Sequence, residues 1–252
     1  MKGGCKMLTV SYKLKGLLFN ELWFSPKVPL SSKTFFGFYC YRDSRVQTDR
    51  FGLKKEEKYT LVNDLSLAKE KLFSQFKSNV RNEIRKSEKI ENFRHHSDTT
   101  SKEQFLEFYR RFANAKSLPH INPRAIDKYG ENLFYLSGYI DGELTNMQVY
   151  LVDKEGGLVR LLHSISTLYD VDSSAVRAKI GWINRYLHWE TMLHFKALSF
   201  KTFDWGGYNN GVDAGLAGID KFKASFGGEK IQHFDYYSYP YFLLKLLREK
   251  LL

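Results

Sequence analysis

Cysteine and proline are scarce in this chain: two of its 252 residues are Cys and five are Pro. Cys5 and Cys40 are too few for a disulfide framework, and neither belongs to a CxxC or Cys/His spacing that suits zinc. His95 and His96 are adjacent rather than spaced as ligands, and HxxxH and HExxH do not occur, so no metal is expected. The GxGxxG and GxxxxGKS/T patterns of dinucleotide and nucleoside triphosphate sites are missing as well. No apolar run approaches the roughly 20 residues of a membrane span. Near the N-terminus, Tyr12, Lys13 and Lys15 interrupt the apolar stretch that a secretory signal would need. A reducing, cytoplasmic setting is the expectation.

What the chain has is positive charge and aromatic content. A formal charge of +11 favours acidic partners: a phosphate-rich cofactor, a nucleotide-linked sugar, RNA or an anionic membrane. A hydrophobic share of 43% is enough for a buried core. The C-terminal stretch from Tyr241 to Leu252 mixes six leucines, Leu243, Leu244, Leu246, Leu247 and Leu251 among them, with Lys245, Arg248 and Lys250. It reads as a docking helix that closes the core, with a peripheral membrane contact as the alternative.

Residues 1–57 read as a partial sheet or extension with irregular or short strands, including an aromatic strand candidate at Thr34–Tyr41. Residues 58–252 form the main unit. Tyr59–Leu65 is a strand ending at Asp64 or Ser66, either able to cap a helix over about 66–89. That helix carries Phe73, Phe76, Val80 and Ile84 on one stripe, beside a ladder of Lys77, Arg81, Arg85 and Lys89. Like charges four apart repel, so the ladder is either a solvated face or an anion site, with Arg81 and Arg85 as its candidates. Ser101 and Gln104 are spaced as a capping box for the next helix, and Asn122-Pro123 starts a short one. Leu133–Ile140, Leu144–Val152 and Leu158–Ser166 make an antiparallel meander joined by Asp141-Gly142 and Lys154–Gly157. A long helix to about Leu198, a strand at Phe200–Trp205, a helix at Asp213–Phe226 and a strand at Lys230–Tyr237 follow. The fold class is therefore α/β (α+β), a mixed, mostly antiparallel sheet with helices on both faces, in the order of the GNAT core.

Two segments sharpen that order. Arg81, Ile84, Arg85, Lys86, Glu88 and Lys89 match an Arg-x-x-Ile-Arg-Lys-Ala-Glu-Lys helix. Asp204-Trp205-Gly206-Gly207, followed by Gly218 to Gly228 with Phe222-Lys223 and Phe226-Gly227-Gly228, matches an Asp-x-Gly-Gly and Gly-x-x-x-Phe-Lys-x-x-Phe-Gly-Gly pair. The chain thus resembles the Fem-type (FemAB-like) aminoacyltransferases of the GNAT-fold superfamily, which act on peptidoglycan precursors, alongside the CelD-like acetyltransferase branch.

The resemblance implies a bacterial-type N-acyltransferase of cell-envelope biogenesis. Its co-substrate would be acyl-CoA or aminoacyl-tRNA, with no permanently bound cofactor. An amino-sugar or peptide precursor would be the acceptor, attacking directly in a ternary complex, and no DNA partner is implied. It makes Lys223 a charged donor near the developing oxyanion or a substrate phosphate; the alternative is a lysine on an exposed helix face. Asp204 orients the acceptor or takes a proton, or else forms the turn before Gly206 and Gly207. Gly206, Gly207, Tyr208, Asn209, Phe222 and Tyr237 are substrate-contact candidates, weighed against ordinary turn and packing roles. Ser173, Ser174 and Arg177 can hold a donor phosphate at the start of the long helix, although Ser166–Arg177 contains no glycine. His163 reads as a core histidine. The rival reading is a noncatalytic GNAT-like module whose basic ladder holds RNA or anionic glycans.

Overall fold

A computed structural model describes residues 8–98 and 101–250, with side-chain surroundings described as far as Leu247. The elements in chain order are β1 (Leu8–Leu14), β2 (Leu17–Trp23), α1 (Ser32–Phe36), β3 (Phe38–Ser44), β4 (Leu53–Asp64), α2 (Lys69–Ser74), α3 (Ser78–Ser87), β5 (Phe93–Asp98) and α4 (Lys102–Lys116). Then come α5 (Pro123–Asp127), β6 (Leu133–Ile140), β7 (Glu143–Asp153), β8 (Leu158–Ser166), α6 (Ser174–Ala197), β9 (Thr202–Tyr208), α7 (Ala217–Ala224), β10 (Glu229–Ser238) and α8 (Tyr239–Lys250). The chain forms two compact units, one of residues 1–60, 207–216 and 230–252, the other of residues 61–206 and 217–229. The chain thus returns twice to the unit in which it began.

In the second unit β6, β7 and β8 are the expected antiparallel meander, with β5 added antiparallel to β6 and β9 parallel to β8. The alternation of side chains along a strand assigns the two faces. Phe134 stacks on His194 and meets Phe195 of α6 edge-on, while Tyr135 meets Phe105 of α4, so the two helices cover opposite faces. Ser173 caps α6, its hydroxyl accepting from the Val176 amide. On β9 the Phe203 ring meets Trp205, which packs against His188 of α6, Phe222 of α7 and Phe226 just past it, Trp205 and Phe226 being fully buried. Burying each such ring stabilises the fold by roughly 1.5–3 kcal/mol. Asn63 satisfies the polar atoms left inside: it accepts from Trp205 Nε1 at 2.7 Å and donates to the Phe226 carbonyl at 3.1 Å.

Several sequence expectations give way to local hydrogen bonding. The helix expected over 66–89 is two helices, because the chain turns at Gln75–Lys77 and the Lys77 amide donates to the Ser225 carbonyl at 2.8 Å. Ala68 takes the N-cap position, while Asp64 closes a local turn on the amide and hydroxyl of Ser66. The four-residue ladder is correspondingly shortened, with Lys77 preceding α3 and Lys89 following it. No capping box forms at Ser101, whose hydroxyl donates instead to Asp98 Oδ2 at 2.6 Å. The helix expected from Asp213 begins at Ala217 after a single tight turn at Ala214–Leu216. Strand β5, which the sequence reading did not assign, exposes most of its side chains and so lacks an alternating pattern.

The first unit carries the strand order β1-β2-β3-β10 and then the first part of β4. Its aromatic strand begins only at Phe38, because Ser31 and Thr34 form a reciprocal cap that turns the preceding residues into α1. Asp235 lies at the centre of its ionic core, 3.1 Å from Arg42 and 2.5 Å from Lys58. Burial works against that charge, but the two cations hold the carboxyl well below the usual carboxylate range. Tyr241 of α8 donates to buried Glu21 at 3.0 Å, and Lys245 pairs with Glu56, so α8 docks as expected. Cys5 lies outside the described residues.

Gly206 is a tight backbone position in the second unit. Its φ is +72°, and a Cβ there would sit 2.6 Å from the Leu161 carbonyl oxygen. Gly206→Ala should therefore destabilise the fold by at least roughly 1–3 kcal/mol in urea unfolding. Gly207→Ala, where a Cβ meets nothing within 4 Å, should stay within about 0.5 kcal/mol of the parent. Equal stability of the two variants would refute the tight approach.

Candidate active site

The parallel ladder between β8 and β9 is short. It pairs Leu158, Val159 and Arg160 with Thr202, Phe203 and Asp204 and then stops, although β8 runs on to Ser166 and β9 to Tyr208. Beyond that point β8 continues along β7 and shifts register between Val149 and Tyr150. A bulge re-aims the side chains that follow it. The two strands thus part at Arg160 and Asp204, and Gly206 bends the backbone of β9 just past the parting.

Charge is concentrated where they separate. Arg160 and Asp204 form an ion pair at 2.9 Å with about nine-tenths of each side chain buried, and the same Asp204 oxygen accepts from the Gly206 amide at 2.8 Å. Lys223, on α7, is close enough to feel Arg160, Asp204 and Asp220. Burial first and the Arg160 charge second lower its pKa to about 8, against the pull of the two carboxylates. An ammonium of this kind is still mostly protonated at neutral pH and poorly solvated, so it donates strongly to a new negative charge.

Behind Lys223 lies a buried polar network. His188 Nδ1 is 2.8 Å from the Tyr150 hydroxyl, which donates to Gln148 Oε1 at 2.6 Å. Gln148 in turn donates to Asn184, and Ser164, on the part of β8 beyond the parting, donates to Asn184 at 3.1 Å. Burial, with the charges of Lys223 and Arg185 adding to it, drives the His188 pKa well below its usual value. His188 is therefore a neutral hydrogen-bonding group rather than a protonated acid.

The structure brings together Lys223, Asp204 and Gly206 of the expected set, with Phe222 packed against the His188 and Trp205 rings. Asp204 serves as the turn former and the partner of Arg160. Ser173, Ser174 and Arg177 are exposed at the start of α6. Arg81 donates to the carbonyls of Ser74 and Phe76, closing the end of α2, and Arg85 lies over the Phe73 ring at 5.5 Å. Gly207, Tyr208, Asn209 and Tyr237 belong to the first unit. There Asn209 closes its loop on Asp213, and Tyr237 is fully buried, its hydroxyl donating to Glu56 and Asp235 with Lys245 over its ring at 4.7 Å. That burial leaves the Tyr237 ring no face for a sugar. His163 packs between Phe105 and Tyr109, and burial lowers its pKa to about 4, as suits a core histidine.

Arg160 and His188 are the residues that sequence reading passed over. Each leaves a signal: an arginine inside the apolar run Leu158–Leu162, and a histidine among the apolar residues of α6. In the first unit Asp43, His233 and Asp235 place ligand-type atoms within 4.8 Å of one another. Arg42 and Lys58 already neutralise Asp235, which is the charge compensation a metal would otherwise provide.

No family model matches the chain, and no curated protein matches it in sequence. Solved structures share its fold. FemX is 10% identical with a TM-score of 0.64, covering 97% of this chain and 88% of its own. L-PGS from Bacillus licheniformis is 11% identical with a TM-score of 0.54, covering 96% and 85%. The C-terminal domain of a protein assigned as a lysylphosphatidylglycerol synthetase in Agrobacterium fabrum is 14% identical with a TM-score of 0.52, covering 80% and 67%. These likenesses show that the chain shares the fold of FemX and of these two synthetase structures.

Because the folded pKa of Lys223 lies below its unfolded value, the native chain binds fewer protons than the unfolded chain between about pH 8 and 10.5. The contribution of Lys223 to stability should therefore rise as pH climbs through that window, and Lys223→Met should flatten the slope of the urea midpoint against pH. In competitive acylation Lys223 should half-titrate near pH 8, and Asp204→Asn, which removes a stabilising anion, should move it lower still. A midpoint unmoved or raised by Asp204→Asn would contradict this electrostatic picture.

Proposed function

We propose that this protein is an acyltransferase that moves an aminoacyl group from an aminoacyl-tRNA ester to an amino group of a cell-envelope precursor. The observation that carries the reading is Lys223, a half-buried ammonium of lowered pKa near Arg160 and Asp204, on a fold shared with FemX and with a lysylphosphatidylglycerol synthetase domain. In the reaction the acceptor amine attacks the ester carbonyl in a ternary complex. A C–N bond forms, the carbonyl oxygen becomes an oxyanion, and the C–O bond to the ribose breaks as that oxygen takes the proton the amine gives up. Lys223 donates to the oxyanion, the Arg160–Asp204 pair fixes its surroundings, and neutral His188 holds the network behind it. The chemistry involves no covalent enzyme intermediate, consistent with Cys40 being buried in the first unit.

An ester of tRNA fits better than a CoA thioester for two reasons. The segment before α6 has no glycine to wrap a pyrophosphate, and Ser173 already accepts from the Val176 amide. A net charge of +11 also suits a polyanionic donor. A donor held in this way would place the reaction in the cytoplasm, where charged tRNA is found.

The test is single-turnover transfer from a pool of radiolabelled aminoacyl-tRNAs to a peptidoglycan-precursor peptide, with acetyl-CoA as the competing donor. Lys223→Ala should slow transfer by about 10²–10³-fold while leaving tRNA binding intact. Transfer from acetyl-CoA alone would replace the tRNA ester with a thioester. Unchanged transfer in Lys223→Ala would remove the lysine from the chemistry.

A further inference from the structure

The first unit exposes large apolar side chains along one helix and the segments beside it. On α8, Tyr239, Leu243 and Leu247 are spaced four apart and form an outward stripe 43%, 59% and 56% exposed, while Tyr241 and Lys245 on the other side dock into the unit. Helix α1 packs beside α8 and carries Phe36, 76% exposed. Phe35 lies 4.9 Å from Phe36 and 6.4 Å from Phe51, which is 85% exposed, so the rings form one group. Exposed aromatic and leucine side chains gathered in this way mark a surface that meets an apolar phase or a partner.

The charges among them identify which. Lys33 lies one turn before Phe36, Arg50 precedes Phe51, and Lys54 lies over the Phe242 ring of α8 at 5.7 Å. Among the described residues no carboxylate pairs with Lys33, Arg50 or Lys54. A symmetric contact between two copies through this surface would bring these cations together and repel. An anionic bilayer meets both needs at once, apolar side chains entering the acyl boundary and cations resting on the headgroup phosphates. We infer that Phe36, Phe51 and the Tyr239, Leu243, Leu247 stripe form a docking surface for anionic lipid bilayers. The inference stands on the first unit alone and does not depend on the acyl-transfer reading.

The test is flotation of the purified chain with vesicles of phosphatidylcholine, with and without phosphatidylglycerol. The parent should float with the phosphatidylglycerol vesicles and stay behind with phosphatidylcholine alone. Phe36→Ser/Phe51→Ser and Leu243→Ser/Leu247→Ser should each weaken binding about tenfold or more, because two exposed apolar side chains no longer leave water. All four positions are exposed, so the thermal transition by circular dichroism should be unchanged, which separates lost docking from lost folding. Lys33→Gln/Lys54→Gln should weaken binding at low salt and make it less salt-dependent. The inference is overturned if the parent floats with neither vesicle, if both apolar double variants float as the parent does, or if sedimentation shows a dimer that these variants dissolve.

Discussion

The parting of β8 from β9 after Arg160 and Asp204 is the constraint on which the candidate site depends. Two parallel strands that kept pairing would fill the space between them with ladder hydrogen bonds and leave none for a substrate. Here a single charged pair ends the ladder, and the left-handed turn at Gly206 lets the backbones touch once and then diverge. The cost of burying Arg160 and Asp204 is offset by their mutual contact and by the Gly206 amide, and the pair also sets the field in which Lys223 sits.

The glycines of the Phe-Gly-Gly segment act by the same logic of close approach. A Cβ on Gly227 would meet the Gln75 carbonyl at 2.6 Å, and one on Gly228 the Val62 carbonyl at 2.7 Å, both at positive φ. They let the end of α7 close against α2 and β4, while Asn63 ties Trp205 to the Phe226 carbonyl. The motif that links this chain to Fem-type proteins therefore describes how α7 is seated, and the seating brings Lys223 to the parted strands.

Periodicity made the meander, α6 and the α7–β10 order legible in the sequence, because each buries a regular face. What it hid came from side chains that compete with regular structure. Ser31 and Thr34 convert a run with strand composition into a helical turn, and the Lys77 amide divides an apparently continuous helix. The exposed strand β5 has no buried face to announce it. Lys223 could be named from a resemblance, but the roles of Arg160 and His188 depend on contacts 44 and 38 residues away in the chain, which spacing does not encode. Tyr237, read as a stacking surface, is instead part of the ionic core around Asp235.

The most direct test of the account is the structure of the protein bound to a phosphonate that mimics the tetrahedral intermediate of aminoacyl transfer. The account predicts a phosphonate oxygen within about 3.2 Å of Lys223 Nζ, beside the Arg160–Asp204 pair. A phosphonate bound elsewhere, with Lys223 making no contact to it, would contradict the assignment of the site.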